Sequence, residues 1–509
     1  MKNRSEKALF LIDGVHKPDN TIFAIKELSE RYNVKPSALL WIGGREKMYS
    51  RESFSLEFRE RLSLDVFFSP EENGELLPER GLADILFEKK DIKAVVQLAG
   101  APQIDRSATL KYAGVSSTLG AVYYAGGTSF EKYIIDIKCD IPSMGLFATD
   151  KRVGKTAFGS YIGALACGIK GYDTKWKPAI FTHSRGAPQE PPMIEIYKPA
   201  AEKSAEKLTE RELLSSRFKP ENLIRLLEVG FHGASDVFED ALILSALLDR
   251  WEAVNDSSAP YISMVGCRRA GAGFFNEFAV SNVDKGIKKT LKSEANIIIH
   301  EGSGAEHPPV DIHGSIYLVP SDINPEILKT FPGFENAFLF IIANCQHASS
   351  SPEKVMEIKK ALSMRSPGAE TVMTRFHPEI VTECPEKLKG KKTAVYTTAP
   401  SSVLKLISGE IEKKYGVNVI HIFNNLDYDK EMKKSIDKVV KSGNIDIMFF
   451  EIKARGVEGA HYIKKKGYNI PHYYINNFPV AVDEKFRPLK DNSLLDRALL
   501  SALEKVKKK

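Results

Sequence analysis

A lysine and a threonine opening a helix can handle phosphate if a strand and a turn come just before them. The run Thr149-Asp150-Lys151-Arg152-Val153-Gly154-Lys155-Thr156 follows the apolar stretch 144–148 and leads into a segment rich in small residues that reads as a helix over 157–169. Backbone N–H groups of such a turn, at the positive end of a helix, wrap phosphate groups. Lys155 would reach the β- and γ-phosphates of ATP, and Thr156 would hold Mg²⁺. The pattern GxxxxGK[ST] is met except at its first position, where Thr149 stands for glycine. Strand, turn and helix in the right order argue against a chance GKT.

Three further stretches could serve the same chemistry. Ile297-Ile298-Ile299-His300-Glu301 is an apolar run ending in an acid, followed by Gly302-Ser303-Gly304. A carboxylate at the end of a strand beside a phosphate loop can meet Mg²⁺ or its water, which points to Glu301. Val265-Gly266-Cys267-Arg268-Arg269-Ala270-Gly271-Ala272-Gly273 reads as a strand entering a loop of paired arginines and spaced glycines, able to clamp phosphate; the plain alternative is a basic surface loop. Arg185 ends a similar run at Thr182-His183-Ser184. In His232-Gly233-Ala234-Ser235-Asp236, Ser235 could cap a helix. Asp236, Glu239 and Asp240 then share one face and could bind Mg²⁺ or orient a base, or simply favour the helix dipole. His307-Pro308-Pro309 reads as a rigid loop shaping the site, and Glu451-Ile452-Lys453-Ala454 as a strand end whose charges form a salt bridge or meet substrate. Cys267, between glycine and arginines, is expected to have an acidic thiol without a base to make it a nucleophile.

These residues need a frame. Apolar runs at 8–12, 38–42 and 94–98 end in turn residues and are separated by helical spacing, which indicates βαβ units and a parallel sheet. Ligands bind beyond the carboxyl ends of such strands, so Asp13, His16, Gly43, Gly44 and Arg45 are expected to gather there. Strands follow at 144–148, 261–265, 296–300, 315–319 and 337–343, and again at 393–398, 417–423, 445–452 and 472–475. The Pro- and charge-rich stretch 189–219 reads as a surface excursion with a solvated helix.

At 509 residues the chain has length for about three domains. Hydrophobic residues at 43% and charged residues at 27% exclude a disordered or collagen-like polymer. A net charge of +6 permits anionic small molecules and does not call for nucleic acid. The five cysteines contain no CxxC pair, which argues against a disulfide framework or a zinc module and for a reducing cytosol. The longest apolar run, 337–343, is far short of a membrane span. The expectation is a cytoplasmic α/β protein. A P-loop-type, mostly parallel sheet over 141–385 would be flanked by Rossmann-like α/β domains at 1–140 and 386–509.

Variant phosphate loops with Thr-Asp at their start resemble those of dethiobiotin synthetases. Ten blocks taken together resemble one family, the cyclic 2,3-diphosphoglycerate synthetases. They are LIDGVHKPD from Leu11, WIGGREKM from Trp41, TDKRVGKTA from Thr149, THSRGAPQEP from Thr182 and HGASDVFEDAL from His232. VGCRRAGAG from Val265, SNVDKG from Ser281, EGSGAEHPPV from Glu301, YTTAP from Tyr396 and FEIKARGVE from Phe450 complete the series, in order and over most of the chain. The resemblance implies an ATP- and Mg²⁺-dependent ligase, known from thermophilic methanogenic archaea, that closes a phosphoanhydride between the two phosphates of 2,3-diphosphoglycerate with release of ADP and phosphate. On that reading residues 149–156 bind ATP, Thr156 and Glu301 serve the metal, and Lys155, Glu301, Arg268 and Arg269 are catalytic. Arg185, Arg268 and Arg269 would hold substrate phosphates, with His232 and Asp236 as lesser contacts. The partner would be a small polyanion, with neither nucleic acid nor membrane, and a homodimer is left open. Two alternatives stand: a dethiobiotin-synthetase-like ligase or kinase acting on another anion, and an ATP-hydrolysing switch.

Overall fold

The computed structural model describes residues 5–507 apart from 46–47, 49, 73, 101–102, 132–136, 169–170, 173, 175, 185–188, 197–219, 229–234, 253–260, 274–275, 303–306, 330, 332, 348, 383 and 454. Two compact units divide the chain. One holds 1–134, 274–277 and 326–335; the other holds 135–273, 278–325 and 336–509. No helix is long and apolar enough to cross a membrane among the described residues.

The first unit alternates β1 (Glu6–Ile12), α1 (Pro18–Arg31), β2 (Val34–Trp41), α2 (Arg51–Leu62), β3 (Val66–Phe68), the short pair β4 (Glu71–Glu72) and β5 (Glu75–Leu76), α3 (Pro78–Glu88), β6 (Ile92–Gln97), α4 (Arg106–Thr118), β7 (Val122–Ala125) and β8 (Thr128–Phe130). The sheet order is β3-β2-β1-β6-β7-β8, parallel except for β8. Ala8 to Ile12 are all buried, as a strand covered on both faces must be. The order reverses between β1 and β6. There Asp13 and Gly14 meet Gly43 and Gly44, as the spacing predicts: Gly14 donates its N–H to the Gly43 carbonyl at 3.0 Å. A Cβ on Gly14 would lie 2.5 Å from the Gly44 oxygen, so the two loops can approach only without a side chain. Arg45 instead faces Glu71 at 3.8 Å.

The second unit runs β9 (Ser143–Ala148), α5 (Lys155–Ala166), β10 (Pro178–Ser184), β11 (Met193–Ile196), α6 (Pro220–Glu228), α7 (Ser235–Glu252), β12 (Ile262–Gly273), β13 (Asn276–Ser281), α8 (Val283–Thr290), β14 (Ile297–Glu301), β15 (Gly314–Pro320), β16 (Ala337–Ala343), α9 (Pro352–Arg365) and β17 (Glu370–Val381). It ends with β18 (Lys392–Tyr396), α10 (Leu404–Tyr415), β19 (Asn418–Phe423), α11 (Asp429–Ser442), β20 (Ile447–Glu451), α12 (Gly456–Lys465), β21 (His472–Ala481) and α13 (Ser493–Lys507). One sheet follows the order β11-β12-β10-β14-β9-β15-β16-β17-β21-β20-β18-β19, with β13 paired to β12. Residues 193–196, inside the stretch expected to be a surface excursion, form the antiparallel edge strand β11, because Ile194 and Ile196 bury their side chains in the core.

The long strand β17 makes the sheet continuous. Its first residues pair in parallel with β16 up to Ile342↔Met373, and its last eight pair antiparallel with β21. β20 lies parallel to β21, with Glu451 opposite Ile475, which in turn faces Ile380. The parallel strands β12, β10, β14, β9, β15 and β16 therefore point their carboxyl ends toward those of β18 and β20. About seven residues of β17, roughly 23 Å, separate the two levels. Phe376 and Pro378 of β17, with Asn476 and Asn477 of β21, line the space between them.

Candidate active site

The turn from β9 to α5 carries Lys155 and Thr156 into the first helical turn, two residues earlier than the spacing indicated. Gly154 caps the helix at φ 94°, and a Cβ there would lie 2.0 Å from the Phe376 ring. Glycine is thus required twice, for the left-handed backbone and for the contact. Arg152 also takes a positive φ of 61°, and its guanidinium donates to the Thr398 carbonyl at 3.1 Å and pairs with Asp427. Thr149 Oγ1 is buried without a hydrogen-bond partner among the described residues, while its N–H bonds the Leu318 carbonyl. Asp150 accepts the Lys151 N–H at 2.6 Å and its carbonyl lies 3.4 Å from Lys155 Nζ.

α5 is buried on nearly every side, which its small residues permit. Gly159 leaves room for Glu301, whose Oε2 would be 2.9 Å from a Cβ at that position. Glu301 ends β14, next to β9 in the sheet, and its Oε1 accepts the Thr156 hydroxyl at 2.7 Å. The other oxygen, Oε2, is buried with no hydrogen-bond partner among the described residues. Burial and the nearby Asp240 push the Glu301 carboxyl well above the usual range. Burial also pulls the Lys155 ammonium down, against the opposing pull of Glu301. A hydroxyl and a carboxylate are hard oxygen donors, and the orphaned Oε2 gives them spare capacity. The pair fits Mg²⁺, which keeps most of its shell as water and nucleotide oxygens.

A cavity of about 390 Å³ opens over these residues. Lys151, Arg152, Lys155, Thr156, Thr182, His183, Asp240 and Glu301 line it from the phosphate-loop side. Thr398, Pro400, Leu406, Ile407, Glu451 and Lys453 line it from the later block. Glu451 is fixed by four donors: Thr397 Oγ1 (2.7 Å), Thr398 N (2.8 Å), Thr398 Oγ1 (3.2 Å) and Asn477 Nδ2 (2.8 Å). Asp240 is fully buried and accepts from Thr182 Oγ1 at 3.1 Å and from Lys453 Nζ at 2.5 Å. Glu239 accepts the Arg455 N–H at 3.1 Å. Two of the three acids sharing a face of α7 thus receive the turn after β20, and the Lys453 charge is in a salt bridge.

Several expectations need correction. Arg268 and Arg269 do not lie in a glycine loop, because the strand continues to Gly273 and pairs with β13. Arg268 is opposite Ser184, two residues beyond the level where Gly266, Thr182 and Glu301 align, so its backbone sits at the same end of the sheet as the phosphate loop. Its N–H bonds Asn282 Oδ1 at 2.6 Å, and it is not among the residues lining the cavity. The side chains of Arg269 and Asp236, and residues Arg185 and His232 entirely, lie outside the described residues. The Cys267 thiol is not acidic: complete burial pushes it up. His307 packs on Phe147 and bonds the Tyr317 hydroxyl at 2.9 Å, consistent with a rigid loop.

Residues 143–375 match the family model "Cyclic 2,3-diphosphoglycerate synthetase, P-loop domain". Residues 7–131 match the N-terminal domain of the same family, and 385–470 its C-terminal domain. The chain is 28% identical over 497 residues to the cyclic 2,3-diphosphoglycerate synthetase of Methanothermus fervidus, with 96% of each chain covered. It is 29% identical over 481 residues to that of Thermococcus sibiricus, covering 94% of this chain and 95% of the relative. Among solved structures, the "apo" form of LpxK from Aquifex aeolicus in complex with ATP is similar at a TM-score of 0.37 and 13% identity, covering 73% of this chain and 90% of that one.

Proposed function

The chain belongs to the cyclic 2,3-diphosphoglycerate synthetase family, and from that premise we propose that it couples ATP cleavage to closing a phosphoanhydride ring on 2,3-diphosphoglycerate. Two phosphates on adjacent carbons repel one another, so joining them in water is uphill and requires a coupled reaction. In the first step an oxygen of one substrate phosphate bonds the γ-phosphorus, and the bond from that phosphorus to the β,γ-bridging oxygen breaks, its electron pair leaving on ADP. In the second step an oxygen of the neighbouring phosphate bonds the phosphorus that carries the new group, and inorganic phosphate leaves with the displaced oxygen. The sum is ATP plus 2,3-diphosphoglycerate to ADP, phosphate and the cyclic product, with one proton taken up by the released phosphate near neutral pH.

The observation that carries this reading is the apposition of Lys155 and Thr156 with Glu301 inside one cavity. Turn 149–156 holds the triphosphate, and Lys155 stabilises charge on the γ-phosphoryl oxygens. Thr156 and Glu301 would hold Mg²⁺, which supplies charge neutralisation at the phosphates. Arg268, two residues past the Thr182 level within β12, its neighbour Arg269 and Arg185 would supply cations for the substrate's phosphates at that end of the sheet. Walls such as Phe376, Leu406 and Ile407 keep water from intercepting the activated phosphate. The enzyme works in the cytoplasm on a small polyanion.

Phosphorus NMR of a mixture of ATP, Mg²⁺, 2,3-diphosphoglycerate and the protein tests the proposal. The expected result is an upfield pair of coupled anhydride resonances growing in step with ADP. Release of ADP at the same rate without the substrate would overturn it.

A further inference from the structure

Lys453, nearly 300 positions after the phosphate loop in sequence, lines the same cavity as that loop. Its turn is built to hold it there. Asp240 pairs with Nζ at 2.5 Å and is itself held by Thr182. The Arg455 N–H is anchored on Glu239, and Arg455 takes a positive φ of 74°. A Cβ on Gly456 would lie 1.9 Å from the Glu451 carbonyl oxygen, so the bend needs glycine. The ammonium acts electrostatically on both Lys155 and Glu301.

Burying a carboxylate is costly, and an apolar pair of similar volume would tie the turn to α7 at least as well. A lysine held by a buried aspartate does something an apolar pair cannot: it keeps one cation at a fixed place, a third exposed to the cavity. We infer that Lys453 is a second lysine of the phosphoryl-transfer centre, contacting the group that moves from ATP to the substrate phosphate, with Asp240 as its positioning residue. The inference rests on the reaction proposed above. As the bond from γ-phosphorus to the bridging oxygen breaks and the bond to the substrate oxygen forms, negative charge spreads over the moving group. Lys155 meets that charge from the loop and Lys453 from the facing turn. Both remain protonated, and no proton is transferred by either.

The test uses the full chain and the variants Lys453→Met, Lys453→Arg, Asp240→Asn and Lys155→Met. Three quantities are read: kcat for cyclic product, ADP affinity by calorimetry, and the thermal midpoint. Lys453→Met is expected to lower kcat by about 10²–10³-fold, the usual effect of removing one preorganised donor. Its ADP affinity should stay within about twofold of the native value, on the same expectation that the contact forms only in transfer. Lys453→Arg should recover part of the rate, and Asp240→Asn should lower kcat by about tenfold through misplacement. A Lys453→Met protein with native kcat overturns the inference. So does one whose rate, ADP affinity and thermal midpoint fall together, since that describes a tether. If Lys155→Met is inactive while Lys453→Met turns over normally, only the role of Lys453 fails. If the native protein makes no cyclic product, the proposed reaction fails and takes this inference with it.

Discussion

Both units place an acid at the carboxyl end of a central parallel strand, and the two acids live differently. Asp13 spends its oxygens on its own loop. It accepts the Val15 and His16 N–H groups at 2.9 and 3.0 Å, and Nδ1 of His16 lies at 2.8 Å. Glu301 takes one hydroxyl and leaves its second oxygen buried with no partner among the described residues. A buried polar atom without a partner costs stability, and native proteins keep few of them. Among the described residues, the same sheet architecture therefore carries two kinds of strand end: one satisfied within its own loop, and one with acceptor capacity left over. The difference supports the proposed role of Glu301 on more than the strand-then-acid pattern, which both share.

The sharpest way to break this contrast is at the phosphate loop. Lys155→Met should lower kcat by about 10³-fold or more, because the lysine acts on charge that develops during transfer. The fold should hold, since methionine fills the same buried slot. A rate assay paired with a thermal melt checks both halves. Near-native turnover would remove the loop from the chemistry.

How much of this was legible in the sequence depends on how far apart the cooperating residues lie. Lys155, Thr156 and the strand preceding them are contiguous, so the loop could be read from local pattern. Glu301 was reachable because an apolar run ending in an acid has a mechanical meaning beside such a loop. The pairing of Lys453 with Asp240 spans 213 positions and depends on β17 turning one sheet back toward itself. No periodicity encodes that. Lys453 could be singled out as a charge at a strand end, but not its partner. The glycines after Arg268 misled for a related reason. Glycine permits a loop without requiring one, and here pairing with β13 keeps the backbone extended.

A smaller effect separates the two acids by sign. Asp13→Ala removes the acceptor for two loop N–H groups and should destabilise the protein by about 1–3 kcal/mol, with ADP affinity unchanged. Glu301→Gln removes a buried charge whose second oxygen has no partner among the described residues. At pH 8 it should leave the nucleotide-free protein more stable by roughly 1–2 kcal/mol while lowering turnover. Urea melts of both variants at that pH decide the matter. If both lose stability equally, Glu301 is a structural acid like Asp13.

The least effect, and the finest test, is the pH dependence of stability. Two neighbours on β14 titrate in opposite senses. Glu301 has a raised pKa in the fold, so its contribution is fully present below about 4.5 and is lost as pH rises from there toward about 8. His300 is buried beside His183, whose Nε2 is 3.2 Å from its Nδ1, and its pKa is lowered well below 6.5. Its contribution is therefore present above 6.5 and is lost as pH falls below it, because the unfolded chain takes up a proton that the folded site refuses. Between pH 4.5 and 6.5 the two slopes oppose and largely cancel in the native protein. Glu301→Gln should expose the histidine slope, with stability falling on acidification by up to about 1.4 kcal/mol per pH unit. His300→Asn should expose the opposite slope, with stability falling as pH rises across the same interval. Identical pH profiles for the two variants would mean that neither group is held out of its ordinary range by this strand, and the contrast with the self-contained end at Asp13 would lose its electrostatic basis.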